Sequence, residues 1–153
     1  NLMRIALFEP DIPQNTGNIF RLGACLGVPV DIIEPAGFIL DDNRFKRASM
    51  DYIKYLNFKK HKNWDIFYKW SKEKLFRIIL LTTKTNKSYT KFNFSNSDIL
   101  LFGRESAGVP EYVHNSVNHK LTIPMQKGPR SINLSSSVAI VTGEAIRQIN
   151  MNL

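Results

Sequence analysis

The residues best placed to do chemistry gather in three short polar stretches, each following an apolar run. They are Thr82-Thr83-Lys84, the run Gly103-Arg104-Glu105-Ser106-Ala107-Gly108-Val109-Pro110, and the run Gln126-Lys127-Gly128-Pro129-Arg130-Ser131. In a parallel sheet, loops that follow strands share one edge, and that edge is where open α/β folds hold ligands. Three such loops can wrap one small molecule, with backbone N–H and C=O groups reading a purine edge. Beyond the third stretch Asn133 suits a helix cap, because its side chain can accept from a free backbone N–H. Ser135, Ser136 and Ser137 then fall in the first helical turn, where hydroxyls and unpaired N–H groups face a bound molecule. None of the loops is a phosphate loop: GxxxxGK[ST], GxGxxG and the hydrolase elbow GxSxG are all absent, which argues against a P-loop nucleotidase, a dinucleotide enzyme or a hydrolase of that type. The cysteine and histidines show no metal-ligand spacing, so no metal is expected.

The elements that must position these loops read as alternating strands and helices. Arg4 to Phe8 is an apolar strand, and Asn15 is expected to cap a helix running NTGNIFRLGACLG, with Gly27 as its stop. Gly17 and Gly23 weaken that helix by propensity and therefore suggest close approach of a ligand or another helix. Val30 to Ile33 is a second strand, Asp41 suits the cap of a short helix through Arg44 and Arg47, and Asp51 to Lys60 reads ambiguously, as a strand followed by a turn. Asp65 to Lys74 is expected as an amphipathic helix with Ile66, Phe67 and Trp70 inward. Arg77 to Leu81 and Asp98 to Phe102 are continuous apolar runs of the kind found in parallel strands covered on both faces. Pro110 suits the first turn of a helix from Glu111 to Asn115. Leu121 to Ile123 is expected as the last strand, and a final helix follows with Leu134, Val138, Val141, Ala145 and Ile149 on one face. The pattern predicts an α/β fold with a mainly parallel sheet flanked by helices.

At 153 residues the chain is expected to form one domain with a real core. No apolar run has the length of a membrane span. The single cysteine, Cys25, fits a reducing cytoplasm and is expected to fill a helix face. The formal net charge is +8, and the basic residues cluster at Arg44-Phe45-Lys46-Arg47, at Lys54 to Lys62 and at Lys69 to Lys74. Tyr52, Tyr55, Phe58, Trp64, Tyr68 and Trp70 lie among them. Cations that neutralise phosphates, interleaved with rings on which bases stack, suit RNA.

Three strings in order, NTGNIFRLGACLG, LLFGRESAGVP and IPMQKGPRSINLSSSVAIVTGEAIRQ, resemble the three motifs of the SPOUT superfamily of RNA methyltransferases. FEPDIPQNTGNIFRL, IIEPAGFILDDNRFKRASMDY and LTTK carry the likeness over nearly the whole chain. It is closest to the small members that methylate the ribose 2′-oxygen of the tRNA wobble nucleotide, C34 or a modified U34, with tRNA-Leu the substrate it suggests. The resemblance implies a C-terminal trefoil knot, S-adenosylmethionine as cofactor, a homodimer with active sites at the subunit interface, the anticodon stem-loop as partner, a cytoplasmic enzyme, and a single domain over residues 1–153 without a separate RNA-binding extension.

Carried over residue by residue, the resemblance places cofactor contacts at Leu81, Gly103, Ile123 and Ser131, with Met125 and Leu134 as neighbours. It offers Arg21, Asn15, Glu105 and Asn133 for catalysis. Arg21 is put forward as a base, but an arginine with a pKa above about 12 is locked as a cation, so a clamp on the acceptor's phosphate fits it better. Asn15 either caps its helix or positions substrate. Glu105 either orients Arg21 or accepts a proton, and Asn133 holds the cofactor loop or the substrate. Arg130 and Lys127, with Arg44 and Arg47, are expected to bind RNA, with the cofactor carboxylate as the alternative partner for Arg130. Ala107 departs from relatives that often carry a basic residue there, which removes one possible RNA contact. His61, His114 and His119 fall outside the motifs and read as surface or structural. Three rivals stay open: the same chemistry at another tRNA or ribosomal RNA nucleotide, an RNA-binding module without catalysis, and a nucleotide-binding fold with unrelated chemistry.

Overall fold

The apolar runs become strands because only a sheet covered on both faces can bury them. The structure is a computed structural model that describes residues 2–39, 43–128 and 131–149. In chain order its elements are β1 (Arg4–Phe8), α1 (Pro13–Leu26), β2 (Val30–Ile33), α2 (Asn43–Ser49), β3 (Phe58–His61), α3 (Trp64–Glu73), β4 (Arg77–Leu81), β5 (Asp98–Phe102), α4 (Glu111–His114), β6 (His119–Leu121) and α5 (Leu134–Ile149). The strands form one sheet in the order β3-β2-β1-β5-β4-β6, and every pairing in it is parallel. Side chains alternate across it. Ile5, Leu7, Ile32, Leu100 and Phe102 pack with Phe20, Phe45, Val138 and Val141 on the face covered by α1, α2 and α5. Ala6, Phe8, Ile33, Ile99 and Leu101 pack with Trp64, Phe67 and Val113 on the face covered by α3 and α4. Burying a ring such as Phe20, which is wholly inaccessible, is worth about 1.5–3 kcal/mol.

Several elements differ from the sequence reading. Helix α1 starts at Pro13, with Ile12 as its N-cap and no side-chain cap bond. Asn15 is therefore inside the first turn and its amide is released for other partners. Proline at N1 costs nothing, since its missing N–H has no intrahelical acceptor there. Gly27 closes the helix at φ 68°, and Val28 N–H bonds to Gly23 O. Gly17 and Gly23 serve protein packing. A methyl at Gly17 would stand 2.6 Å from Ala48 Cβ of α2, and one at Gly23 would stand 2.7 Å from Val28 O.

Between α2 and α3 the turn comes first, as a 3₁₀ turn at Tyr52–Tyr55, and the strand second, as β3. In α3 the inward residues are Trp64, Phe67 and Ser71, at helical spacing, while Ile66 is exposed and Trp70 half-buried. The last strand is His119–Leu121, two residues earlier than expected. Ile123 precedes Pro124, which has no N–H for a ladder, and Thr122 bridges to Ser88 instead. Cys25 lies on α1 but is exposed. His61 is structural: its ring is buried and Nε2 donates to Asp31. Asp41, the expected cap of α2, lies outside the described residues.

Candidate functional site

Strand β1 continues towards β2 on one side and has β5 on the other. Such a reversal leaves a crevice at the strands' C-terminal ends. A cavity of about 470 Å³ opens there, within the size range of small-molecule sites. The ends of β4, β5 and β6, the start of α1 and the entry to α5 line it. Leu81, Gly103, Ile123, Met125, Ser131 and Leu134 all reach it, as do Asn15, Glu105 and Asn133. Thr82, Lys84, Arg104 and His114 line it as well. His114, read from the sequence as surface or structural, faces this cavity.

Each wall has a local cause. After β5 the chain doubles back, with Arg104 and Gly108 exchanging backbone hydrogen bonds of 3.0 and 2.9 Å. A Cβ at Gly103 would meet the Gly108 backbone carbonyl carbon at 2.6 Å, so only glycine fits there. Gly108 itself has φ 61°. Arg104 Nε donates to Gly108 O and braces the turn. After β4, Thr82 N–H bonds to Leu121 O, and Thr122 N–H bonds to Lys87 O. These bonds tie the second wall to the third.

The polar floor is a chain of amides ending in a carboxyl. Asn133 Oδ1 accepts from Ser135 N–H at 2.9 Å and from Ser135 Oγ at 2.6 Å, which caps α5 as its sequence suggests. Asn133 Nδ2 donates to Asn15 Oδ1 at 3.0 Å, and Asn15 Nδ2 donates to Glu105 Oε2 at 3.3 Å. Burial pushes the Glu105 carboxyl above its ordinary value. The Asp11 hydrogen bond and charge add to this, against backbone and Asn15 donors. Burial alone would raise Asp11 too, but hydrogen bonds from Ser106 and Glu105 outweigh it and hold Asp11 low. Asp11 was missed in the sequence. The available signal was its place directly after β1, at the ligand-binding edge.

Arg21 lies elsewhere. It is exposed on α1, outside the cavity lining, with its guanidinium over the Tyr52 ring at 5.2 Å. Glu105 bonds to Asn15 rather than to Arg21. Arg44, Arg47 and Lys127 are exposed, and Arg130 lies outside the described residues. Of the aromatics among the basic clusters, Trp64 is core and Tyr55 is exposed, with Lys54 against its ring. Among the described residues no group of three or more His, Cys, Asp or Glu is placed to hold a metal ion.

A model of the SpoU rRNA Methylase family matches residues 2–143. The chain belongs to this family. Among its SpoU relatives, a tRNA (cytidine(34)-2′-O)-methyltransferase from Beijerinckia indica is 49% identical over 145 residues, covering 95% of this chain and 91% of that protein. A structure solved for the 2-OH methylation of C/U34 on tRNA superposes with a TM-score of 0.91 at 35% identity, covering 96% of this chain and 95% of the other. The SpoU methyltransferase AviRb from Streptomyces viridochromogenes, in complex with AdoMet, shares the fold at 20% identity, with a TM-score of 0.89 over 96% of this chain and 60% of that one.

Proposed function

We propose that this SpoU-family chain is a tRNA (cytidine(34)-2′-O)-methyltransferase, using S-adenosylmethionine to methylate the ribose 2′-hydroxyl of the wobble nucleotide in the anticodon stem-loop. The observation that carries the reading is near-full-length likeness, 49% identity over 95% of the chain, to an enzyme of that activity. The cavity fits the cofactor. Leu81, Ile123, Met125 and Leu134 supply apolar walls, loop backbones supply donors and acceptors, and the close Gly103–Gly108 contact keeps a side chain out of the wall after β5. When bound, S-adenosylmethionine supplies a methyl carbon activated by a positive sulfur.

The chain's own residues then align and deprotonate. Asn133 and Asn15 fix the entry of α5 against α1 and orient Glu105 by a donated hydrogen bond, so that the acceptor hydroxyl is held in line. Arg21 clamps an acceptor phosphate from the exposed side of α1, where its guanidinium lies over the Tyr52 ring. Lys127, Arg44 and Arg47 extend the cationic surface for the stem-loop, and Arg130, outside the described residues, binds RNA with them in this reading. A homodimer with its sites at the subunit boundary gives Arg21 a route to the acceptor. The trefoil knot, the single-domain organisation and the cytoplasmic location belong to the same proposal; among the described residues no helix is long and apolar enough to cross a membrane.

Transfer of tritiated methyl from S-adenosylmethionine to transcribed tRNAs, tRNA-Leu first, tests this. Label at nucleotide 34, lost when that nucleotide is a 2′-deoxy sugar, is expected; label mapped elsewhere overturns the address, and RNA binding without transfer overturns the activity. Arg21→Ala is expected to keep cofactor affinity by calorimetry and to lose about 10²-fold or more in transfer. Ser131→Ala and Gly103→Val are expected to weaken cofactor binding.

A further inference from the structure

The loop after β1 and the loop after β5 meet acid to acid. Asp11 and Glu105 lie within hydrogen-bonding reach of each other. Ser106 Oγ donates to Asp11 Oδ2, and Asn15 Nδ2 donates to Glu105 Oε2. The other oxygen of each carboxyl, Asp11 Oδ1 and Glu105 Oε1, is buried without a hydrogen-bond partner among the described residues. Two adjacent carboxylates repel, and two orphaned buried acceptors each cost desolvation. One proton shared between the two carboxyls satisfies both oxygens and removes the repulsion. Only Glu105 of the two lines the cavity.

Resting on the methyltransferase reading above, we propose that Glu105 takes up the ribose 2′-hydroxyl proton and that Asp11 is the positioning residue that gives that proton its seat. The step balances. The 2′-oxygen bonds to the methyl carbon, the carbon–sulfur bond breaks with its electron pair going to sulfur, and the hydroxyl proton passes to Glu105. There the hydrogen bond to Asp11 holds it until it exchanges with water. Arg21 has no lone pair to offer while it is a cation. A carboxylate whose proton affinity is raised towards the working pH is the better base, and both burial and Asp11 push Glu105 that way. Lys84, Arg104 and His114 face the same cavity, and Arg104 lies 3.9 Å from Glu9. Variants are therefore compared with these cavity residues unchanged.

Two measurements test the pair. In the free protein, the ¹³C shift of the Glu105 carboxyl is followed against pH in the wild type and in Asp11→Asn. The midpoint is expected to fall in the variant, which loses the anionic neighbour but keeps the side-chain shape; an unmoved midpoint overturns the pairing. The second measurement is single-turnover methyl transfer from S-adenosylmethionine to tRNA across pH. Glu105→Gln is expected to lose about 10²- to 10⁴-fold in rate with cofactor affinity kept. Asp11→Asn is expected to lose about tenfold and move the acid limb of the profile to lower pH. Asp11→Glu, which restores the second acid, is expected to return the limb. A wild-type rate in Glu105→Gln, or an unshifted limb in Asp11→Asn, overturns the proposal. A wild-type protein that moves no methyl to tRNA defeats the underlying reading instead, and the carboxyl titration then still judges the acid pair by itself.

Discussion

The two edges of the one sheet carry similar residues and treat them oppositely. At the N-terminal edge, Asp31 of β2 and Asp98 of β5 are fully inaccessible. Asp31 accepts from Arg4 Nε at 2.6 Å, from Arg4 Nη2 at 3.0 Å and from His61 at 2.9 Å. Asp98 accepts from Arg77 Nε at 2.6 Å, from Arg77 Nη2 at 2.9 Å and from Ser95 N–H at 2.8 Å. Forked guanidinium pairs of this kind satisfy both carboxylate oxygens. At the C-terminal edge Asp11 and Glu105 meet each other, and each keeps an oxygen without a donor. A buried acid with both oxygens satisfied holds strands together. One left half-satisfied keeps a capacity to take up a proton, and it does so where the cavity opens.

The largest effect should come from breaking the closed edge. Asp31→Ala leaves Arg4 and His61 without their acid and is expected to cost about 3–5 kcal/mol, read from the urea midpoint at unchanged slope. A loss well below that would mean the pairing is not what secures this edge. Arg77→Ala is expected to cost less, about 1.5–3 kcal/mol, since Arg77 is partly exposed while Asp98 keeps its Ser95 donor.

Glu105→Gln should go the other way. Its folded carboxyl holds a proton more tightly than the unfolded one. The wild type therefore loses stability as pH rises from the ordinary glutamate value through the raised folded one. The glutamine variant lacks that loss. Its melting temperature is expected to match the wild type in acid and to exceed it at neutral pH. A variant less stable at every pH would place Glu105 with the structural acids. Smallest of all, Arg147→Ala removes an exposed partner of Glu144 on α5. Although that contact holds the Glu144 carboxyl down to about 2, the pair is solvated, and no measurable change in the urea midpoint is expected.

Strands β1, β2, β4 and β5 were legible because strands buried on both faces read as near-continuous apolar runs, interrupted here only by the paired Arg4, Asp31, Arg77 and Asp98. β3 was not. As an edge strand it exposes Lys59 and Lys60, so its residues carry neither a continuous run nor a clean alternation. β6 slid by two residues for the same reason: His119 and Lys120 do not advertise a strand, and pairing with β4 decides the register. The loops around the cavity could be placed because they follow the legible strands. Asn15 was assigned to a cap because Pro13 was passed over as the first helical residue. Asp11 stayed hidden because its meaning comes from Glu105, and nothing local in either loop signals that they touch.

The first strand to be made is also a central one, and this orders assembly. β1 finds β2 nearby in the chain, but its other neighbour is β5, with Ile5 opposite Leu100. The Asn15–Asn133 bond spans a still longer stretch. Closing such loops is slow, and until it happens one side of β1 is an open edge. A nascent chain therefore has half a sheet long before it has any pocket, and the pocket comes into being only when α5 docks. Donor binding then acts on the whole folding equilibrium rather than on one loop, so occupancy by the donor certifies a finished chain.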